Sequence, residues 1–163
     1  MRPGALAACG LVLLLAGCAP SQLLGSARRA LRDPGERLLA LPQEIADEYD
    51  CATRTLPHFQ LERNEVNPLR VRAGAEFNHR LVYALCPTAP TAVVPGKFTT
   101  RIVFKGRDLV VQSIPNFEIK PGRWIVDAFV RLPENAETGV YALEIGFSSK
   151  SIQFDESVTF GVE

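Results

Sequence analysis

The chain has 163 residues, with 18 basic and 18 acidic side chains and a formal net charge of zero. That balance gives no basis for nucleic-acid binding, and a hydrophobic content of 47% excludes a disordered chain. The length suits one domain with a real core, and no internal repeat is visible.

The first residues read as an export signal. Met1-Arg2 supplies a positive start, and an apolar run from Ala5 to Ala16 is interrupted only by Gly10. The run ends in Leu15-Ala16-Gly17-Cys18. A charged start, a short apolar core and small residues at a cut site make a secretory signal peptide. The run is too short for a membrane span, which needs about 20 apolar residues. Leu15-Ala16-Gly17-Cys18 closely resembles the lipobox of bacterial lipoproteins. The resemblance implies cleavage between Gly17 and Cys18, a diacylglyceryl group on the Cys18 sulfur, and acylation of the new amine. Two alternatives stay open. An ordinary signal peptidase would cut after Ala19, which Pro20 directly behind the cut disfavours, and an uncleaved anchor is disfavoured by length. Two acyl chains already hold a protein stably on a bilayer, so three would anchor it permanently. Within the lipoprotein family, Asp after the lipidated cysteine retains the protein in the inner membrane. Ala19-Pro20 therefore implies outer-membrane sorting, facing the periplasm.

The leader changes the cysteine arithmetic. Cys9 leaves with residues 1–17 and Cys18 carries lipid, so Cys51 and Cys86 remain. An even pair in an exported chain reads as one disulfide, with two free thiols as the alternative.

Residues 18–50 read as a lipidated, partly helical spacer. Ser21 is placed to cap a helix through Arg32, with Leu23, Leu24, Ala27 and Leu31 along one side. After Pro34-Gly35, a second helical piece begins with Pro42 in its first turn and runs to about Tyr49. Arg28, Arg29, Arg32 and Arg37 can touch anionic headgroups at about 1 kcal/mol each. A solvated tether is the other reading, because acids in the same segment outnumber those arginines.

From Cys51 to Glu163 the periodicity is two. Phe77, Leu81, Tyr83 and Leu85 share a face opposite Glu76, Asn78 and Arg80. Phe98, Ile102 and Phe104 alternate with Lys97, Thr99, Arg101 and Lys105. Trp124, Val126, Ala128, Val130 and Leu132 form a third inner row. Tyr141, Leu143, Ile145 and Phe147 form a fourth, and Val158, Phe160 and Val162 end the chain. Turn signals bound these runs at Pro95-Gly96, Lys105 to Asp108, Lys120 to Arg123 and Pro133 to Gly139. The pattern predicts an all-β antiparallel sandwich over 51–163.

Within it, Glu137-Thr138-Gly139-Val140-Tyr141-Ala142-Leu143 resembles the tyrosine corner of immunoglobulin-like domains. The resemblance implies that the Tyr141 hydroxyl bonds back to nearby backbone, after a bend at Gly139. Leu143 stands where antibody domains carry a cysteine, so their inter-sheet disulfide is not expected. Pro121-Gly122-Arg123-Trp124, Leu132-Pro133, Ala136, Gly139 and Tyr141 are together similar to macroglobulin-type and other bacterial immunoglobulin-like domains. That likeness covers about residues 95–163 and concerns fold, since such folds host many functions.

Chemistry-bearing motifs are sparse. His58 and His79 each lie seven residues from a cysteine, which on a strand is about 23 Å and opposite faces. Zinc ligands usually pair at two to four residues, so no metal site is expected. His79 shares the parity of Phe77 and Leu81 and reads as a hydrogen-bonded, partly buried histidine. Ser148-Ser149-Lys150-Ser151 reads as a polar hairpin loop, not a nucleophile site. Asp155-Glu156 points to opposite sides of an extended segment. No nucleophile elbow or phosphate-cradling loop is present. Ile125 and Phe129 share parity opposite Trp124. They read either as an outer contact surface or as a patch covered by the 19–50 segment.

The expectation is thus a lipid-tethered, periplasm-facing, non-catalytic binding or scaffolding module without a cofactor beyond the lipid on Cys18. Its partners would be the membrane, through that lipid, and envelope proteins, with an accessory subunit of an envelope assembly as the leading role. A chaperone or inhibitor of exported proteins is the alternative, favoured by a long unpaired edge strand near Val66 to Arg72. An envelope enzyme would instead need a concave pocket gathering His58 or His79 with acids.

Overall fold

A computed structural model describes residues 35–163. The leader, Gly17, Cys18 and the helix expected between Ser21 and Arg32 lie outside the described residues. In chain order the elements are β1 (Gly35–Ala40), the helix α1 (Pro42–Glu48), a 3-10 turn (Cys51–Thr53), β2 (His58–Asn67) and β3 (Arg70–Val71). They continue with β4 (Glu76–Cys86), β5 (Val94–Phe104), β6 (Arg107–Ile119), β7 (Gly122–Arg131), β8 (Gly139–Ser148) and β9 (Gln153–Val162). One sheet is ordered β1-β7-β4-β2 and the other β3-β9-β8-β5-β6. The fold is an all-β sandwich. Its pairings are antiparallel except between β3 and β9, which run parallel, so the second sheet is mixed and not wholly antiparallel.

Alternation builds the core. β4 sends Phe77, Leu81, Tyr83 and Leu85 inward, and β8 answers with Tyr141, Leu143, Ile145 and Phe147. Because the side-chain period of a strand is two, a one-residue slip would turn the β8 row toward solvent, which fixes that strand's register, whereas β4 is buried on both faces from Leu81 to Cys86. Each such side chain contributes about 1.5–3 kcal/mol when fully buried. The core divides into two clusters. Phe77, Ile102, Phe104, Tyr141 and Phe160 belong to one, and Leu81, Leu85, Phe98, Ile119 and Phe147 to the other.

The spacer expected over 18–50 is corrected by this architecture. Residues 35–50 belong to the sandwich: β1 pairs with β7, and α1 buries Ile45 completely against Cys51, Ala84 and Cys86. The helix itself forms where Pro42 places it, at the first turn. Its start is closed by Glu44, whose carboxylate accepts the Leu41 backbone N–H at 2.6 Å. Gly122 lets the end of β1 approach, because a Cβ there would lie 2.6 Å from the Ala40 carbonyl oxygen.

Two long strands escape simple alternation. β2 carries a bulge between Leu61 and Arg63, so Phe59 and Leu61 share a face with Asn64 and Val66 only after a slip of parity. β6 is bulged against β5 at two places, Gly96/Phe98 and Ile102/Val103. The β5–β6 turn is tighter than the four-residue signal implied. Lys105 and Gly106 alone form it, both at positive φ, which matches the twist of a two-residue hairpin. Arg107 and Asp108 already belong to the strand.

Candidate functional site

One corner of the molecule is locked. Cys51 and Cys86 form a disulfide that ties the 3-10 turn to the end of β4. Beside it, Arg123 of β7 donates through Nε to both carboxylate oxygens of Glu62 at 2.8 Å, and through Nη2 to Glu48 at 2.7 Å. Tyr49 adds a hydroxyl hydrogen bond to Glu62 at 2.7 Å. Hydrogen bonds to Glu62 and Glu48 hold Arg123 above its ordinary pKa. Burial pushes Glu62 up, yet the hydrogen bonds from Arg123 and Tyr49 outweigh it and leave the carboxyl below its usual range. These acids are bound to a guanidinium that staples α1 and β2 to β7. His58, opposite Cys86 in the β2–β4 ladder, faces the Tyr49 ring at a centroid distance of 6.1 Å.

The positions singled out from the immunoglobulin-like resemblance lie at the other end of the sandwich and along β7. The Tyr141 hydroxyl donates to the Glu137 carbonyl at 2.7 Å, and its ring stacks on Phe104 with centroids 4.2 Å apart. Gly139 is required by that neighbour, since a Cβ would meet the Phe104 ring at 2.8 Å. Trp124 is half-buried and donates its indole N–H to the Pro121 carbonyl at 2.8 Å. Ile125 and Phe129 do not form an exposed surface. Ile125 is only 5% exposed and Phe129 is half-buried, although both keep outward parity on β7.

The remaining titratable groups of interest lie on β4, β7 and the β8–β9 hairpin. His79 sits in the inward row of β4 between the two core clusters, its Nε2 2.8 Å from Asn64 Oδ1. That partner requires the Nε2–H tautomer. Burial depresses its pKa to about 4, against a smaller upward pull from Asp127. Asp127 accepts a two-pronged pair from Arg80 at 2.8 and 2.7 Å, which holds Arg80 above its ordinary pKa. Ser149 accepts the backbone N–H groups of Ser151 and Ile152, so its hydroxyl closes the β8–β9 turn. Asp155 pairs with Gly146 and Glu156 with Ile145, on opposite sides of β9. Among the described residues no group of three or more His, Cys, Asp or Glu is arranged to hold a metal ion.

The surface feature that alternation missed is β6. It is the outermost strand of its sheet, and its far edge pairs with no strand among the described residues. Leu109, Val111 and Ile114 are 40%, 59% and 40% exposed. Val110 pairs with Ile102 and Ile114 with Phe98, so both point to the core side. β2 approaches β9 on one flank of the sandwich, leaving β6 on the flank of β1 and β7. There the inward rows are not fully covered. Ala128 is exposed between Val126 and Val130, and Gln112 and Ile114 are exposed on β6. Leu38, which shares the face of Trp124, is also exposed. The edge foreseen near Val66 to Arg72 is divided: Val66 and Asn67 end β2, and Arg70–Val71 make the two-residue β3 against β9.

No family profile matches the chain, and neither does any curated protein sequence. Among solved structures, it superposes on the alkylpurine DNA glycosylase AlkC of Pseudomonas fluorescens at 12% identity and a TM-score of 0.46, over 66% of this chain and 31% of that one. The sporulation control protein Spo0M of Bacillus subtilis gives 10% identity and 0.45, over 64% and 49%. The β-glucuronidase of Parabacteroides merdae gives 12% and 0.45, over 66% and 14%. The chain thus spans less than half the length of each, and scores of this size carry no argument about family or activity.

Proposed function

We propose that this chain is a lipid-anchored envelope protein that works as a non-catalytic binding or scaffolding module, an accessory subunit of an envelope assembly. The observation that carries the reading is an edge strand with no partner on its far side among the described residues, which also leaves Leu109, Val111 and Ile114 exposed on its two faces. A free edge that exposes apolar side chains is a ready template for another chain. The Leu15-Ala16-Gly17-Cys18 sequence supports an anchor at Cys18, and a Cys51–Cys86 disulfide accords with an oxidising compartment outside the cytoplasm. The expected home is the outer membrane, facing the periplasm.

A captor of other exported proteins is a second reading, favoured by the same free edge. Crosslinking in intact cells separates the two. Stoichiometric recovery of one envelope complex supports the accessory role, and many substoichiometric clients support the captor. The anchor is tested by Cys18→Ala: the variant should leave the membrane fraction and lose its partner. A soluble variant with its partner still bound would show that tethering is irrelevant.

A further inference from the structure

Backbone chemistry limits what can fit the edge of β6. Every second residue of an edge strand points its N–H and C=O outward, and only another extended backbone presents matching groups at matching spacing. The regular part of this edge is short. Bulges at Gly96/Phe98 and Ile102/Val103 flank it, and Pro115 falls at the first of them, so the undistorted stretch is Val110–Ile114. At about 3.4 Å per residue it is about 17 Å long. Val110–Ile114 contains no charged residue. On its core side Gln112 and Ile114 are exposed, and so are Leu38 of β1 and Ala128 of β7 on the inner face of the facing sheet, which leaves that flank open between the two sheets.

From this geometry we infer that β6 and the open flank beside it take one extended segment of a partner protein, added as a further strand along Val110–Ile114. Alternate side chains of the segment, apolar and small, enter the flank between Ile114 and Ala128. A basic residue toward its end near exposed Glu118 completes the fit. A second copy of this chain is the poorer occupant. Two rigid sandwiches joined through so short a stretch would bury well under the ~1,200 Å² of a stable interface, and the bulged ends turn away from longer self-pairing. A flexible segment meets neither restriction, because it pairs with the edge and folds its side chains into the flank together. The inference rests on the binding reading only in supposing a protein partner.

Hydrogen exchange on the intact lipoprotein in detergent tests the edge, with a capped peptide of alternating valine and threonine ending in lysine as the probe. Saturating peptide should slow amide exchange across Val110–Ile114 about tenfold and leave β2 unchanged. Ile114→Asp should abolish the effect, and Val140→Asp, which adds the same charge at an exposed site on β8, should preserve it. If Ile114→Asp lowers the melting temperature, Val111→Lys serves in its place. Absence of slowing at millimolar peptide overturns the assignment. So does slowing that appears with protein concentration alone, which would make a second copy the occupant, or slowing confined to β2. A photocrosslinker at Val111 in intact cells should reach a partner that one at Val140 does not. Crosslinks from Val140, Leu39 or Leu69 but not Val111 would refute the edge and leave the binding reading standing. Crosslinks from none of the four would refute the binding reading itself.

Discussion

Acid should unfold this protein well before its carboxylates are exhausted, and His79 is the reason. The imidazole lies in the core with a pKa lowered to about 4 by burial, against 6.5 in an unfolded chain. A base whose folded pKa is depressed takes up its proton later when folded than when unfolded. Stability is therefore intact above about pH 6.5, falls as the pH drops through the window, and levels off below about 4. One proton over that window costs up to 1.36 kcal/mol per pH unit, or about 2 kcal/mol already at pH 5. Protonation would also place a cation between Phe77 and Leu81, with Asn64 as its neutral partner. Urea denaturation at pH 7, 6, 5 and 4 measures the loss. His79→Gln keeps a hydrogen-bonding group near Asn64 and removes the titration, so its curve should be flatter by about 2 kcal/mol between pH 6.5 and 5. Glu62 and Glu137, whose pKa values are lowered, add their own loss below about pH 4.5 and remain in both proteins. Parallel curves for the parent and His79→Gln would refute the assignment of the acid sensitivity to this histidine.

Two further outcomes follow from packing. Replacing both Cys51 and Cys86 by alanine should cost roughly 4 kcal/mol on the chain-entropy estimate for a separation of 35 residues. The loss, read from urea midpoints, should come with faster proteolysis around α1, because Ile45 packs on that bond. Tyr141→Phe keeps the stack on Phe104 and removes only the hydroxyl bond to Glu137, so denaturation should report a loss of about 1 kcal/mol. An unchanged midpoint would show that this bond contributes nothing to holding the β7–β8 connection.

The strand that could be read directly is the one with a buried and a wetter face: Tyr141 to Phe147 alternates without interruption, so its face follows from residue type. β4 shows its inward row in Phe77, Leu81, Tyr83 and Leu85, but from Leu81 to Cys86 it is buried on both faces, which alternation does not signal. β2 was hidden because its bulge after Leu61 changes parity in mid-strand. β1 and α1 looked like a tether because the polar residues in 35–50 conceal a single buried anchor, Ile45, whose partners lie on β4 and in the 3-10 turn. Parity alone places Ile125 outward, yet it is buried. Parity determines the face of a strand, and burial depends on what lies over that face.

β6 carries no alternation for burial to reveal. Its apolar residues fall on both faces, Val111 with outward-pointing Arg101 and Ile114 with inward-pointing Phe98, and Pro115 breaks the run. A strand scanned for alternation is scored by how well it hides its apolar side chains, and a binding edge is a place where it does not. The same property that makes β6 a candidate interface therefore erases it from a reading based on burial. The lipobox-like Leu15-Ala16-Gly17-Cys18 is free of this problem, because a signal of the kind it resembles is written in consecutive residues and needs no fold to be legible. An anchor can be written in consecutive residues, but a docking edge emerges only when β5 has paired on one side of β6 and the flank of β1 and β7 has been left open on the other.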